Sequence, residues 1–160
     1  MSEKKLALII FLILVFSSLI TILFAINEHI KIWETISEID IKITNISFKK
    51  YNKEKIDAII EFEIFNHKPY LGVSLKNFQG AVYFYLEDWI KVGIFDEMLG
   101  GIIYPNSSKK FSINIPLTGI NMENVLEIIE KNQYKIYINS RLFIREPIEV
   151  GLFFDLYYPS

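Results

Sequence analysis

The chain has 160 residues, of which 51% are hydrophobic and 22% charged, with a formal net charge of −2 and no cysteine. The missing cysteines exclude disulfides, thiolate metal sites, a Cys nucleophile and a lipoprotein anchor. Two histidines leave little room for a His-rich metal centre, and the slightly acidic balance offers no basic surface of the kind nucleic acid requires.

The mean hydropathy of +0.28 is high for a small soluble domain, and much of the excess sits in residues 6–26, LALIIFLILVFSSLITILFAI, which carry no charge. As a helix these residues span about 31 Å, close to the hydrocarbon thickness of a bilayer. Ser17, Ser18 and Thr21 do not disqualify the span, because a hydroxyl can bond back to the helix carbonyls. The run is longer than a signal-peptide core, and Leu23-Phe24-Ala25 is a poor cleavage site. The pattern predicts a transmembrane helix over residues 6–26. Lys4 and Lys5 precede it and only Lys31 follows closely, so residues 1–5 are expected in the cytoplasm and the remainder outside it. Membrane lipid is therefore the first expected partner.

Residues 27–37 read as a continuation of that helix that fades into a short linker, with Ile30, Trp33 and Ile36 at roughly helical spacing. Trp33 suits either the lipid headgroups or the folded domain; His29 suits solvent. Residues 38–160 are long enough for one domain.

Period-two alternation dominates this domain. Ile39, Ile41 and Ile43 line one face of a first strand, and Ile46 and Phe48 then shift phase, which predicts a bulge near Thr44-Asn45. Ile56, Ala58, Ile60, Phe62 and Ile64 line a second. A third is expected near residues 81–87, with Val82, Phe84 and Leu86 on one face. Ile90, Val92 and Ile94 suggest a fourth. Phe111, Ile113 and Ile115 follow, then Tyr134, Ile136 and Ile138 with Leu142 and Ile144 after them, and finally Val150, Leu152, Phe154 and Leu156. Such alternation is what half-buried strands require. Turn signals fall at Asn66–Pro69, Gln79-Gly80, Gly100-Gly101, Pro105–Ser107, Pro116 and Glu146-Pro147. One segment differs: residues 121–132 place Met122, Val125, Leu126 and Ile129 on a helical face, with Asn121 as its cap and Glu123, Glu127 and Glu130 toward water. The fold class expected is mainly β: an antiparallel, immunoglobulin-like sandwich of about seven strands plus one short helix, preceded by the single transmembrane helix.

The search for chemistry returns little. Glu61 and Glu63 share a strand face as solvated carboxylates, and Glu87-Asp88 and Asp96-Glu97 lack the spacing of a calcium loop. His67 sits in a turn with no paired nucleophile. No nucleophile elbow, zinc-protease or phosphate-loop motif occurs. No catalytic, cofactor-binding or metal-ligating residue is assigned, and no cofactor is expected. Asn45-Ile46-Ser47 and Asn106-Ser107-Ser108 are glycosylation acceptors, at Asn45 and Asn106, if the domain is exported. Aromatic residues make up 15%. Where adjacent aromatics alternate faces, one set remains outside the core, and Tyr83, Tyr85, Trp89 and Phe153 are the candidates for an apolar contact surface.

From Ile39 onward the order of features resembles the group 2 late embryogenesis abundant domain, also called the water-stress and hypersensitive-response (WHy) domain. The matching pieces are the opening strand IDIKITNISF, the segment AIIEFEIFNHKPYLGVSLKNFQGAVYFYL, and IIYPNSSKKFSINIPL, similar to the family's Pro-x-Ser turn leading into an alternating strand. Asn66-His67-Lys68-Pro69 departs from the family's tight Asn-Pro pair. The resemblance covers roughly residues 38–157. It implies a sandwich with one helix, a link to desiccation and stress protection, membrane-anchored members and, in some related domains, lipid binding; it brings no catalytic residues. The expected function is a membrane-anchored, non-enzymatic domain on the extracytoplasmic side that binds lipid, an apolar ligand or a partner protein. The alternative is a structural subunit of a cell-surface machine, such as an archaellum stator or a secretion scaffold.

Overall fold

The computed structural model describes residues 3–50, 56–85, 87–117, 122–132 and 134–159; Leu86, Asn121 and the side chain of Met122, all named above, lie outside it. Its elements are α1 (Glu3–Ser37), β1 (Ile39–Lys50), β2 (Ile56–Asn66), β3 (Val73–Tyr85), β4 (Trp89–Met98), β5 (Ile102–Ile103), β6 (Ser107–Leu117), α2 (Met122–Glu130), β7 (Ile136–Glu146) and β8 (Val150–Tyr158).

Helix α1 is uncharged from Leu6 to Ile26, and it leaves its apolar side chains exposed all round. It is the one helix among the described residues long and apolar enough to cross a membrane. The hydroxyls of Ser18 and Thr21 donate to the carbonyls of Leu14 and Ser17 at 2.8 and 3.0 Å, so these polar groups are satisfied without leaving the helix. The helix continues past residue 26 with no linker after it. It runs to Ser37, and β1 begins at Ile39. Ile36 and Thr35 are buried and Ile32 packs on the core, so the last turns of α1 belong to the folded domain. Glu38 closes the junction, accepting an ion pair from Lys68 at 3.1 Å. That carboxylate holds the Lys68 ammonium above its ordinary pKa.

The strands form two antiparallel sheets. One has the order β1-β2-β6; the other has the order β4-β3-β7-β8, with β5 beside the start of β3. Ile60, Phe62, Ile64, Ile113 and Ile115 from the first sheet meet Phe78, Val82, Phe84, Ile138 and Leu142 from the second, all buried. Each comes from an alternating run, as a two-layer core demands. The bulge expected near Thr44-Asn45 is present: the β1–β2 register shifts between Ile43 and Asn45. Helix α2 turns Val125, Leu126 and Ile129 onto the core and Glu123, Glu127 and Glu130 to water.

Three expectations change: Pro116, expected at a turn, lies within β6 opposite Asp57, and the other two concern β3 and β4. Gln79-Gly80 is not a turn, and the third strand does not begin at residue 81. β3 is continuous from Val73 to Tyr85. A Cβ at Gly80 would lie 2.6 Å from the Asn139 carbonyl oxygen and 2.8 Å from the Phe95 ring. Glycine here marks a close approach of backbone and ring inside a strand, not a reversal. In β4, Ile94 does not share a face with Ile90 and Val92. The pairing steps from Tyr83↔Lys91 to Val82↔Gly93, and that one extra residue turns Phe95 inward and leaves Ile94 exposed. The turns expected at Gly100-Gly101 and at Asn106 do form, with positive φ at all three residues.

Candidate functional site

The two outer faces of the sandwich differ in chemistry. Outside the β1-β2-β6 sheet, Lys42 pairs in register with Glu63, Glu63 with Lys110, and Glu61 with Ser112; Glu63 also accepts a hydrogen bond from the Ser108 hydroxyl at 2.6 Å. These are solvated polar rows. Outside the other sheet, the register sets Trp89 beside Tyr85, and Tyr83 beside Tyr137 and Tyr137 beside Tyr157.

Strand alternation alone forces that second arrangement. Phe84, Ile136, Ile138 and Leu156 point inward and are buried, so Tyr83, Tyr85, Tyr137 and Tyr157 must point outward. The rings then pack on one another. Centroids lie 5.3 Å apart for Tyr85–Trp89, 5.7 Å for Trp89–Tyr137, 5.5 Å for Tyr83–Tyr137 and 5.0 Å for Tyr137–Tyr157. Tilted, edge-on and stacked contacts of this kind stabilise a rigid aromatic surface. Polar groups pin it. The Tyr137 hydroxyl donates to Asp155 at 2.6 Å and the Asn139 amide donates to the same oxygen at 2.9 Å. These bonds hold the Asp155 carboxyl below its ordinary pKa, and the Tyr137 hydroxyl correspondingly above its own. Lys135 lies over the Tyr85 ring at 5.8 Å.

Of the four residues expected to form a contact surface, Tyr83, Tyr85 and Trp89 are thus brought together. Phe153 is exposed but stands apart, against the Arg141 guanidinium. Sequence reasoning missed Tyr137, whose signal was its place between Ile136 and Ile138. A hollow of about 490 Å³ adjoins the strip, lined by Ala81, Ile94, Asn139, Arg141 and Phe153 among others.

The remaining candidates lie elsewhere. Asn45 and Asn106 are both exposed, at the β1 bulge and before β6. Trp33 stays exposed on α1, beside a shallow apolar hollow that also includes Ile26, His29 and Ile30. His67 stacks on Phe65, 5.6 Å between centroids, in a small polar hollow with Asn106, Ser107 and Ser108 that neither Glu61 nor Glu63 lines. Among the described residues, no three of His, Cys, Asp and Glu gather closely enough to hold a metal ion.

Tyr83, Tyr85 and Trp89 lie at the end of β3 remote from α1, whereas Tyr157 lines a cleft with Ile41 and Ile43. Ile39 pairs with Asn66, and Asn66 with Ser107; three residues join Ile103 of β5 to Ser107, and Ile103 pairs with Val73. The start of β3 therefore sits near the α1–β1 junction. Tyr83 and Tyr85 close the other end of that strand, up to about 40 Å away.

No family model matches the chain, and no curated protein matches its sequence. Solved structures do resemble it. A solution structure of a protein from Arabidopsis thaliana is similar at 10% identity with a TM-score of 0.52, covering 75% of this chain and 82% of that one. A crystal structure of a protein from Archaeoglobus fulgidus is similar at 9% identity and a TM-score of 0.43, covering 77% and 95%. A solution structure described as a late embryogenesis abundant protein is similar at 11% identity and a TM-score of 0.43, covering 90% and 86%. The likeness at a TM-score of 0.52 establishes a shared fold.

Proposed function

We propose that the chain is a membrane-anchored, non-enzymatic recognition domain of the stress-protection type. On this reading α1 crosses the cell membrane with its N-terminus in the cytoplasm, and the sandwich stands on the extracytoplasmic side. The observation that carries the proposal is the pairing of an apolar helix, exposed from Leu6 to Ile26, with an aromatic face on the outer side of the second sheet. The helix leads without a linker into the sandwich, so Tyr85 and Trp89, at the far end of β3 and the start of β4, are held away from the bilayer that α1 would cross, while Tyr157 lies beside Ile41 and Ile43. That placement favours an apolar ligand or a partner protein over the domain's own membrane as what the strip meets. Asn45 and Asn106 are then available to glycosylation.

Fractionation with alkaline extraction, followed by protease treatment of intact cells, tests the topology. The expected result is an integral membrane protein whose sandwich is digested from outside. A protein released by alkali, or a sandwich protected until the cells are opened, overturns the reading. Replacing Tyr85 and Trp89 by Ser tests the strip: ligand or partner capture should fall about tenfold or more, with little change in thermal stability.

A further inference from the structure

Among the described residues the long edge strands are β1, β6, β4 and β8, and three of them carry several of the devices that keep an edge from pairing with another chain. β1 has Lys42, Lys49 and Lys50 and the bulge at Thr44. β4 has Lys91, Asp96 and Glu97 and its own bulge. β6 has Lys109, Lys110 and Pro116. β8, VGLFFDLYY, has Asp155 as its one charge, with no lysine, no proline, and nine successive pairs with β7 without a shift in register. Its second edge pairs with no strand among the described residues. Its inward row, Val150, Leu152 and Phe154, remains only half-buried, although the equivalent positions of β7 are buried. A cleft of about 460 Å³ runs beside it, lined by Ile41, Ile43, Asp155, Leu156 and Tyr157 among others.

We propose that β8 is a self-association edge, pairing antiparallel with β8 of a second copy of this chain. To keep inward rows facing inward in both copies, the paired residue numbers must have the same parity. Centring the pair on Asp155 would set two carboxylates opposite each other, which is unfavourable. Centring it on Phe153 leaves part of the strand unpaired. Centring it on Phe154 uses all nine residues, sets Leu152 opposite Leu156, and sets Asp155 opposite Phe153.

This last register also finds a partner for a side chain that lacks one. The Arg141 guanidinium lies flat over β8, 4.8 Å from the Phe153 ring and 4.4 Å from the Phe143 ring, in the space that Gly151 leaves open. Its Nε is buried without a hydrogen-bond acceptor, and Arg141 makes no ion pair among the described residues. In the Phe154-centred pair, Asp155 of the second copy sits opposite Phe153, beside this guanidinium, and the two-fold axis supplies the contact twice. The result is one continuous sheet through both copies, with the two aromatic strips on the same face and the two α1 junctions at opposite ends, so on the membrane-anchored reading the pair joins copies held in two facing membranes.

The absence of native cysteine makes the test direct. The full chain in detergent should be dimeric by light scattering. Phe154→Cys should form a disulfide-linked dimer under mild oxidation, whereas Tyr157→Cys should not, since the two copies of residue 157 would be about 20 Å apart. Arg141→Asp and Asp155→Arg should each raise the dimer dissociation constant about tenfold or more, and the double variant should recover most of the loss. Thermal melting of each variant separates loss of pairing from loss of fold. A monomer at all concentrations overturns the proposal. So does a dimer unaffected by both charge changes, which would place the contact in α1. Cross-linking at residue 157 but not at 154, or pairing of β8 only with a strand from a different protein, overturns it equally.

Discussion

The two long sides of the sandwich are built to different standards. Where β4 lies against β6, the layers close: Val92, Ile113, Ile115 and Leu117 are buried, and Gly93 approaches Ile115 so closely that a Cβ would sit 2.7 Å from its methyl carbon. Phe62, Phe78, Phe95 and Phe111 interlock behind that seam, with centroids 5.1–6.4 Å apart. Where β8 lies against β1, the layers gape. Ile43, Phe48, Leu152, Phe154 and Tyr158 pack on the core but stay partly exposed. The same alternating chemistry therefore yields a finished wall on one side and an open one on the other. What differs is the fit of the last row of side chains, not its hydrophobicity.

The sharpest way to break the closed side is to empty it. Phe62→Ala removes a fully buried ring with three aromatic neighbours on that side and should cost about 3–5 kcal/mol by denaturant unfolding. Two smaller changes then measure the contrast directly. Gly93→Ala adds a single methyl against the stiff Ile115 side chain and should cost about 1–3 kcal/mol through overpacking. Leu152→Ala deletes three carbons on the open side, yet should cost only about 1 kcal/mol, because that side chain is half in water already. If the larger deletion at Leu152 proves the costlier of the two, the two sides are not packed differently.

Acid should separate the sides more gently. Lys50 holds the Glu130 carboxyl below its ordinary pKa, Lys76 does the same for Glu149, and Tyr137 with Asn139 does so for Asp155. All three lie on or beside β1, β8 and the turn that leads into β8. A depressed folded pKa contributes stability above the ordinary carboxylate range, and that contribution is lost as pH falls through the folded value. Because each group is exposed, each effect is small. Amide hydrogen exchange at decreasing pH, corrected for the intrinsic rate, should show β8 losing protection before β6. Simultaneous loss in both strands would contradict the assignment.

Much of this architecture is legible in the residues. Ile56 to Ile64 can be read as one strand face because every second residue is apolar, and the shift from Ile43 to Ile46 announces the bulge. Gly80 was misleading because a glycine that ends a strand and one that admits a neighbouring ring look alike in one dimension; only the position of Phe95 separates them. Ile94 misled for a related reason, since one extra residue at Val92 reverses every face that follows. For the aromatic strip, Tyr83, Tyr85 and Trp89 are close in sequence and can be guessed together. Tyr137 and Tyr157 join them only through strand pairing across β3, β7 and β8, which local periodicity does not encode. The setting of the Arg141 guanidinium was equally hidden, because Phe143 lies on its own strand and Gly151 and Phe153 on the next.

The junction at Ser37–Ile39 gives the molecule a mechanical character. With Thr35 and Ile36 buried in the domain and Glu38 tied to Lys68, the rod and the plate it carries share one handle. On the membrane-anchored reading proposed above, a swivel of the rod about its own axis, or a change in its lean as the bilayer thickens or thins, would turn the plate with it. A tether of loose chain would absorb such movement; this one transmits it.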